Sequence, residues 1–587
     1  MRYRKLGLLG LASSAKAAKG RAKKFVESRP RWLVVGLAVA VFAAVGGGTA
    51  FAVLGGFPTK RPGSKPLVSS EFGKQPLADD RSGEGGDEGS LILQRDQYFS
   101  DRRTAGSTPL DISQAGALRA QAALQGKKLG HRRSLSPSTP TTFADAWSPI
   151  GPSGLRQPTR DSGTVIRVSG RVGALAIRQD GTRILGAAGG GIWVWNGTSW
   201  VPKTDNMPSL HIGALAVAPS DDNVVYAGTG EGALSGDSYF GNGILKSTDG
   251  GNTWSHVSGD YFYGVSISRI VVDPSNANHL YAATLRGRGG VRRTSPVQHS
   301  RFGIWESTDG GATWSLLKQA PQGTNGATDL ELDPQNGDLY ASFWHDAIYK
   351  STNGGASWKT IMNGLPANAN YAAGLTRFSI SLSHPAGQSQ ATLYAGFDWY
   401  GNDGTYHQSE VFKSTNAGGS WSQLSQPDPN GTFNKENVSG YCAGQCFYDN
   451  VIEADPTNPD VVFAGGVYDY AHGAGGIFRS TDGGQTWTNL GYDQHPDFHA
   501  VAFDPANTQH VMIGSDGGVW YSTDLGGRSS TSTPLSAVDW QDLNRSLSTT
   551  TFTSIATNPQ TPSYVWGGSQ DNGTEHTFGT DLGSTQP

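Results

Sequence analysis

From Phe143 onward the chain runs in short apolar–polar alternations that end on glycine or at an Asp-Pro turn. The unit returns roughly every 40 to 65 residues. It is clearest at Ile212–Pro219 with Val224–Gly228, and at Ser268–Pro274 with Leu280–Ala283. It recurs at Asp329–Ala341, Phe378–Gly396, Val451–Gly465, Ala500–Gly514 and Ser554–Gly567, after a looser first copy at Val172–Gly186. These eight copies each predict a pair of short antiparallel strands, so the chain is expected to be all-β from 143 to 587.

The second half of the unit ends in a sharper signal, Ser-x-Asp-x-Gly-x-Thr-Trp. One full copy is Ser247, Asp249, Gly251 and Trp254; a second is Ser307, Asp309, Gly311 and Trp314. A third is Ser480, Asp482, Gly484 and Trp487. Asn replaces Asp at Asn353 (with Trp358) and at Asn416 (with Trp421). A degraded copy, Ser522 with Asp524 and Gly526, has Trp540 standing in after an insertion. Asp or Asn collects backbone N–H groups, glycine supplies positive φ, and tryptophan buries a large apolar area between sheets. These aspartates are thus read as structural. Four strands per unit, with the box in the hairpin between the third and fourth, describe a propeller blade. Eight repeats predict seven or eight blades. Trp147-Ser-Pro-Ile150 resembles a fourth strand and is expected to clasp the last blade.

Before the repeats the texture differs. Residues 1–31 carry ten Lys/Arg against Glu27 alone, a local +9 that leaves −12 for the rest of a chain of formal net charge −3. An acidic globular part argues against nucleic acid as a partner. Residues 32–54 form an uncharged apolar run long enough to cross a bilayer behind a basic flank. It reads either as a transmembrane helix with the propeller outside, or as a signal peptide cut after Ala50-Phe51-Ala52 with the protein secreted. Residues 55–142 read as a linker with weak helices at 91–103 and 111–125. The only two cysteines, Cys442 and Cys446, are expected either to close a small disulfide loop or to remain free thiols. No local spacing supplies further metal ligands, no cofactor motif is present, and a monomer is expected.

The boxes resemble BNR or Asp-box repeats, found in sialidases, sortilin-type receptors and xyloglucan-degrading glycoside hydrolases. Three further segments resemble exported bacterial Asp-box proteins of glycosyl-hydrolase-like or sortilin-like type. They are Tyr226–Gly232 with Ser235–Phe240, His499–Pro505 with Gly514–Gly518, and Gly567–Gly573. Members of that subgroup continue with more repeats, which implies that this chain is short at its C-terminus. The sialidase likeness stops at the site: Arg269-Ile270 is followed by valine, and no set of three arginines is evident. The hydrolase likeness implies a catalytic aspartate in a turn after a second strand, where Ser515-Asp516-Gly-Gly518 stands. The corresponding turn of the first repeat, Ala187–Gly191, has no aspartate.

In a propeller, ligands meet the face opposite the boxes. There the sequence places the catalytic candidates Asp516, Asp571 and Glu231, with Asp516 and Asp571 on adjacent blades and Glu231 across the ring. Aromatics beside carboxylates suit sugar rings: Tyr239 and Phe240, Trp344-His345, Asp398-Trp399-Tyr400, Tyr468-Asp469-Tyr470, and Asp497-Phe498-His499 beside Tyr448-Asp449. They equally suit gap-filling between blades, and the histidines suit scaffold hydrogen bonds. The expected partners are therefore a carbohydrate or a cell-surface protein. Two functions stay open: a glycan-active enzyme using a carboxylate pair, or a non-catalytic propeller that binds glycan or protein.

Overall fold

The computed structural model describes residues 152–158, 165–235, 238–288, 290, 301–372, 376–424, 440–469, 474–491, 494–527 and 540–577. The apolar run 32–54, the linker 55–142 and the expected clasp Trp147–Ile150 lie outside these residues. Among the described residues no helix is long and apolar enough to cross a membrane.

Seven four-stranded antiparallel sheets follow one another in chain order. Their first strands are Val172–Ile177, Ile212–Ala218, Val265–Val272, Ala327–Leu332, Ser379–Ser383, Val451–Ala454 and Phe498–Phe503. Each first strand lies beside the first strand of the next sheet, and that of the seventh lies beside that of the first. The result is a closed seven-bladed β-propeller, with the first strands lining a central channel. Closure is by packing: Val172 and Leu175 of blade 1 share one buried cluster with Ala500 and Met512 of blade 7.

Seven is one of the two blade counts expected. The eighth repeat, Phe552–Asn558 with Thr561–Ser569 and Gly573–Thr577, forms a three-stranded sheet that is not a blade of the ring. Among the described residues blade 7 draws four strands, from Phe498–Phe503, Val511–Ser515, Gly518–Ser522 and Gln541–Asp542.

The boxes form the turns between third and fourth strands. In blade 3, Ser307 Oγ donates to Asp309 Oδ1 (2.9 Å) and accepts the Gly311 N–H (2.9 Å). Asp309 accepts the Thr313 N–H and O–H at 2.9 and 2.6 Å. These donors hold the Asp309 carboxyl at about 2. Gly311 sits at φ 94°, where a Cβ would press to 2.9 Å from Val257 of blade 2. The same bonds recur at Asp249, Asn353, Asn416 and Asp482. Asparagine suffices because only Oδ1 must accept. Since the Ser307 hydroxyl is buried and makes two bonds, Ser307→Ala is expected to cost about 1–2 kcal/mol, read as a lower denaturant midpoint.

The glycine and tryptophan of each box do not behave alike in every blade. Gly251 and Gly484 both take φ 90°, and each packs on the blade before it. A Cβ would meet Ile184 at 3.2 Å from Gly251, and Leu424 at 2.3 Å from Gly484. Trp254 is buried and donates Nε1–H to the Gly251 carbonyl at 2.9 Å, as Trp358 does to that of Gly355. Trp421 turns instead to the Ile361 carbonyl of the preceding blade, at 2.6 Å. Trp487 departs from the expected burial. It is only half-buried against the cluster around Phe478, and its Nε1–H finds no acceptor among the described residues. In blade 6 the box turn therefore rests on Ser480 and Asp482 without the indole bond. At the degraded copy, Trp540 does reach the box glycine: a Cβ on Gly526 would lie 2.7 Å from its ring.

Five of the seven blades share a register shift one to three residues into the first strand, as at Val172/Ala174 and Phe498/Ala500. A bulge of this kind re-aims the extra side chain. In blade 7 that residue is His499, turned to the mouth of the channel.

Candidate functional site

Strand order puts the turn after each second strand, and the segment before each first strand, on the face away from the boxes. Arg171 enters the mouth of the channel just ahead of the first strand of blade 1. Behind it only glycine fits at 170, since a Cβ would lie 1.9 Å from the Thr549 carbonyl oxygen. The guanidinium reaches Glu231 Oε1 at 2.9 Å, approaches Asp516 Oδ1 at 3.6 Å, and donates to the Tyr448 hydroxyl.

Asp516 is 3% exposed in its Ser-Asp-Gly-Gly turn. It accepts His499 Nε2–H at 2.6 Å on one oxygen and the Tyr448 O–H at 2.6 Å on the other. Burial alone would raise its pKa. The charge of Arg171 and the His499 and Tyr448 bonds outweigh that, and hold the carboxyl well below the usual range. Burial, in contrast, lowers the His499 pKa, which keeps the ring neutral at pH 7.

Asp571 approaches from the three-stranded sheet, in a left-handed conformation at φ 60°. Its carboxyl shares a small pocket with that of Asp516. Loss of water on that side, then the charge of Asp516, push its pKa up to about 7, although the residue keeps an open outer edge. Gly170, Arg171, Thr551 and Gln570 complete the pocket around the two carboxyls. Beside them, burial and then the charge of Asp497 raise Asp449 well above the carboxylate range. Asp497, like Asp571, is left-handed, at φ 64°. Such backbone, mild for aspartate, concentrates where side chains must be aimed.

The structure thus unites the three catalytic candidates around Arg171, with one correction. Glu231 does not reach across the ring. With seven blades, blades 2 and 7 both flank blade 1, and Arg171 bridges them. The expected sugar platforms mostly fail. Trp344, Asp398 and Trp399 are buried; Trp399 stacks on His407 with centroids 3.6 Å apart, and Asp398 accepts a bond from Tyr406. His345 stacks on Trp344, Tyr400 leans on Tyr406, and Phe240 packs edge-on to Tyr263. Among the described residues of this set only Tyr239 is exposed, stacked on His211. Tyr468 and Asp469 end the strand Val462–Asp469, their side chains outside the description, as is Tyr470. Cys442 and Cys446 are disulfide-bonded.

Sequence reasoning missed Arg171, Arg377 and a second cluster inside the channel. There Arg269 holds Glu331 at 2.7 Å and Glu453 at 3.4 Å, with Asp329 at 3.6 Å. Burial, only partly offset by Arg269, pushes Glu331 up to about 8. The available signal was charge inside first strands, which marks a face turned to a channel rather than to a core. Arg269 is committed to these carboxylates and is not free to grip a substrate. Among the described residues no group of three or more histidine, cysteine or acidic side chains could hold a metal ion.

The chain is similar in sequence to xyloglucanases. It is 28% identical over 341 residues to a xyloglucanase of Paenibacillus sp, covering 52% of this chain and 30% of that protein. It is 24% identical to the xyloglucanase of Hypocrea jecorina over 353 residues, covering 57% and 34%. It therefore spans about a third of the length of these relatives. No protein-family model matches. Among solved structures, the GH74 enzyme of Niastella koreensis superposes with a TM-score of 0.49 at 20% identity, over 74% of this chain and 61% of that one.

The charge arrangement carries a pH signature. A carboxyl whose folded pKa is raised stabilises the fold below its unfolded value, near 3.9, and that stabilisation is lost as pH rises through the folded value. For Asp571 the window runs from about 4 to about 7. The melting temperature of the parent, less that of Asp571→Asn, is expected to fall across that window and level off above it. A flat difference would mean that Asp571 titrates as an ordinary surface aspartate.

Proposed function

We propose that this propeller hydrolyses glycosidic bonds of a polysaccharide, with Asp571 as proton donor and Asp516 as its ionised partner. One observation carries the reading: two aspartates from different sheets meet in one pocket, and their surroundings push their pKa values in opposite directions. Environments that separate two carboxyls in this way assign the acid and the base. The likeness to xyloglucanases supports a branched β-glucan as the substrate class.

A specific observation favours a second reading, binding without cleavage. Asp516 and Asp571 line one small pocket with only four other residues, so a sugar must widen it to stand between them. The sheet bearing Asp571 is the element able to yield, because its first strand is largely exposed while Asp516 is locked in the ring. Incubation of the protein with xyloglucan and a panel of plant and bacterial polysaccharides, scored for retention and for new reducing ends, separates the two. Retention without reducing ends would replace the hydrolase reading with the second. The turns built on Ser247, Ser307 and Ser480 support membership of the Asp-box group, in which both behaviours occur. With the apolar run 32–54, we place the propeller outside the membrane, anchored or released.

A further inference from the structure

Between blades 5 and 6, residues 440–450 form a compact knot closed by the Cys442–Cys446 disulfide. Successive turns tighten it: Ala443 N–H to Gly440, Gln445 N–H to Cys442 and Tyr448 N–H to Gln445, at 2.7–2.8 Å. Its root is tied to blade 5 through Cys442 N–H to Ser409 Oγ (3.0 Å) and Asn450 Nδ2 to the Gly396 carbonyl (3.1 Å). Its tip leaves that blade altogether. Phe447 packs on Leu234, Leu285 and Trp344, which follow or end the second strands of blades 2, 3 and 4. Tyr448 reaches Asp516 of blade 7 and Arg171 ahead of blade 1, and Arg377 Nη1 donates to its carbonyl at 2.7 Å. The knot therefore touches elements from all around the mouth of the channel.

We propose that residues 440–450 are a disulfide-braced plug over the channel, and that its Tyr448 is a positioning residue that keeps Asp516 the charged member of the Asp516–Asp571 pair. The phenol is held from several sides. It donates to Asp516 Oδ2, accepts from Arg171, and its ring stands edge-on to His499 with centroids 4.7 Å apart. His499 holds the other Asp516 oxygen, so hydroxyl and imidazole together fix the carboxylate from both sides. With the plug in place a polymer cannot thread the channel. It must meet Asp571 from the rim, beside the three-stranded sheet. Trp344, which resembles a sugar platform in sequence, is instead the seat of the plug.

The proposal rests on the hydrolase reading only for its activity readout. The test uses the full chain with ¹³C-labelled aspartate carboxyls, followed by NMR against pH, with Asp571→Asn identifying the signal that titrates near 7. Tyr448→Phe keeps the ring but removes the donor to Asp516. Asp516 is charged on both sides of the upper midpoint, so loss of its donor leaves that one in place and is expected to raise the lower midpoint, that of Asp516, by about 0.5 pH. Cys442→Ser with Cys446→Ser, if its melt remains cooperative, is expected to move the lower midpoint in the same direction. An unmoved lower midpoint in Tyr448→Phe overturns the positioning role, and an unmoved lower midpoint in a folded double-serine variant overturns the brace. A merely structural role would lower the melting temperature and leave the lower midpoint in place. If the double variant does not fold, Tyr448→Phe alone decides. On an active substrate Tyr448→Phe should lower kcat about tenfold at unchanged KM. If the parent releases no reducing ends, the hydrolase reading fails while the titration still judges the plug.

Discussion

Asp571→Asn lowers the release of reducing ends by about 10²–10⁴-fold, the usual contribution of a positioned general acid, and leaves polysaccharide retention intact. The residue lies in an exposed turn at φ 60°, a conformation asparagine takes as readily as aspartate, so the change removes a proton and little else. In the parent the acid is pushed up to about 7, so kcat/KM should fall as pH rises through that value. The residual rate of the variant should not follow that limb. Asp516→Asn should be at least as inactive, with a further consequence for the fold. Asp516 is buried against Arg171, which would keep Glu231 and lose one of its two carboxylates. Some stability should therefore be lost with the activity, whereas Asp571→Asn should lose none and, once the parent carboxyl ionises, melt above it. Initial rates on the substrate selected from the panel decide the matter. A parent-like rate in Asp571→Asn would remove the residue from the chemistry, whatever its pKa.

What the sequence disclosed here follows from how local each feature is. The box turn was legible at Asp309, down to its backbone N–H bond though not its two hydroxyl donors, because every partner of that carboxylate lies within four residues of it. The fate of the box tryptophan was less so: Trp254 and Trp487 share one motif, yet only the first closes onto its glycine. The turns bearing Asp516, Asp571 and Glu231 were legible because each follows a second strand of the repeat. Blade number was not. The copy at Ser554–Gly567 has the same alternation as its predecessors, but ring closure is decided by whether Val172 packs on Ala500, residues more than three hundred positions apart. Nor was the burial of the aromatics. Trp344-His345-Asp346 reads as an open ligand loop until Phe447, a hundred residues downstream, closes over it. Arg171 is a lone cation before a strand, and no local pattern tells it from an exposed one. Its meaning comes from three elements that converge on it.

Trp314→Ala is expected to destabilise the propeller by about 3–5 kcal/mol, the range for large aromatics cut back to alanine in a core. The indole is 6% exposed, and its Nε1–H donates to the Gly311 carbonyl at 2.9 Å. The ring meets Phe262 edge-on with centroids 5.0 Å apart, and Phe262 in turn stands at 90° to Trp305. Removing it therefore loses three things at once: buried area, a paired aromatic, and a bond that fixes the box turn. The space left is held open, because neighbouring blades are fixed on both sides by a ring that closes on itself, and cavities that cannot collapse cost most. Trp314→Phe separates the parts. It restores most of the volume but not the N–H donor, and should recover all but about 1–2 kcal/mol. Trp540→Ala should cost less than Trp314→Ala, since Trp540 is only half-buried and follows an insertion. Denaturant unfolding of the three variants checks the series. An unchanged midpoint in Trp314→Ala would show that the box tryptophan is not what locks one blade to the next.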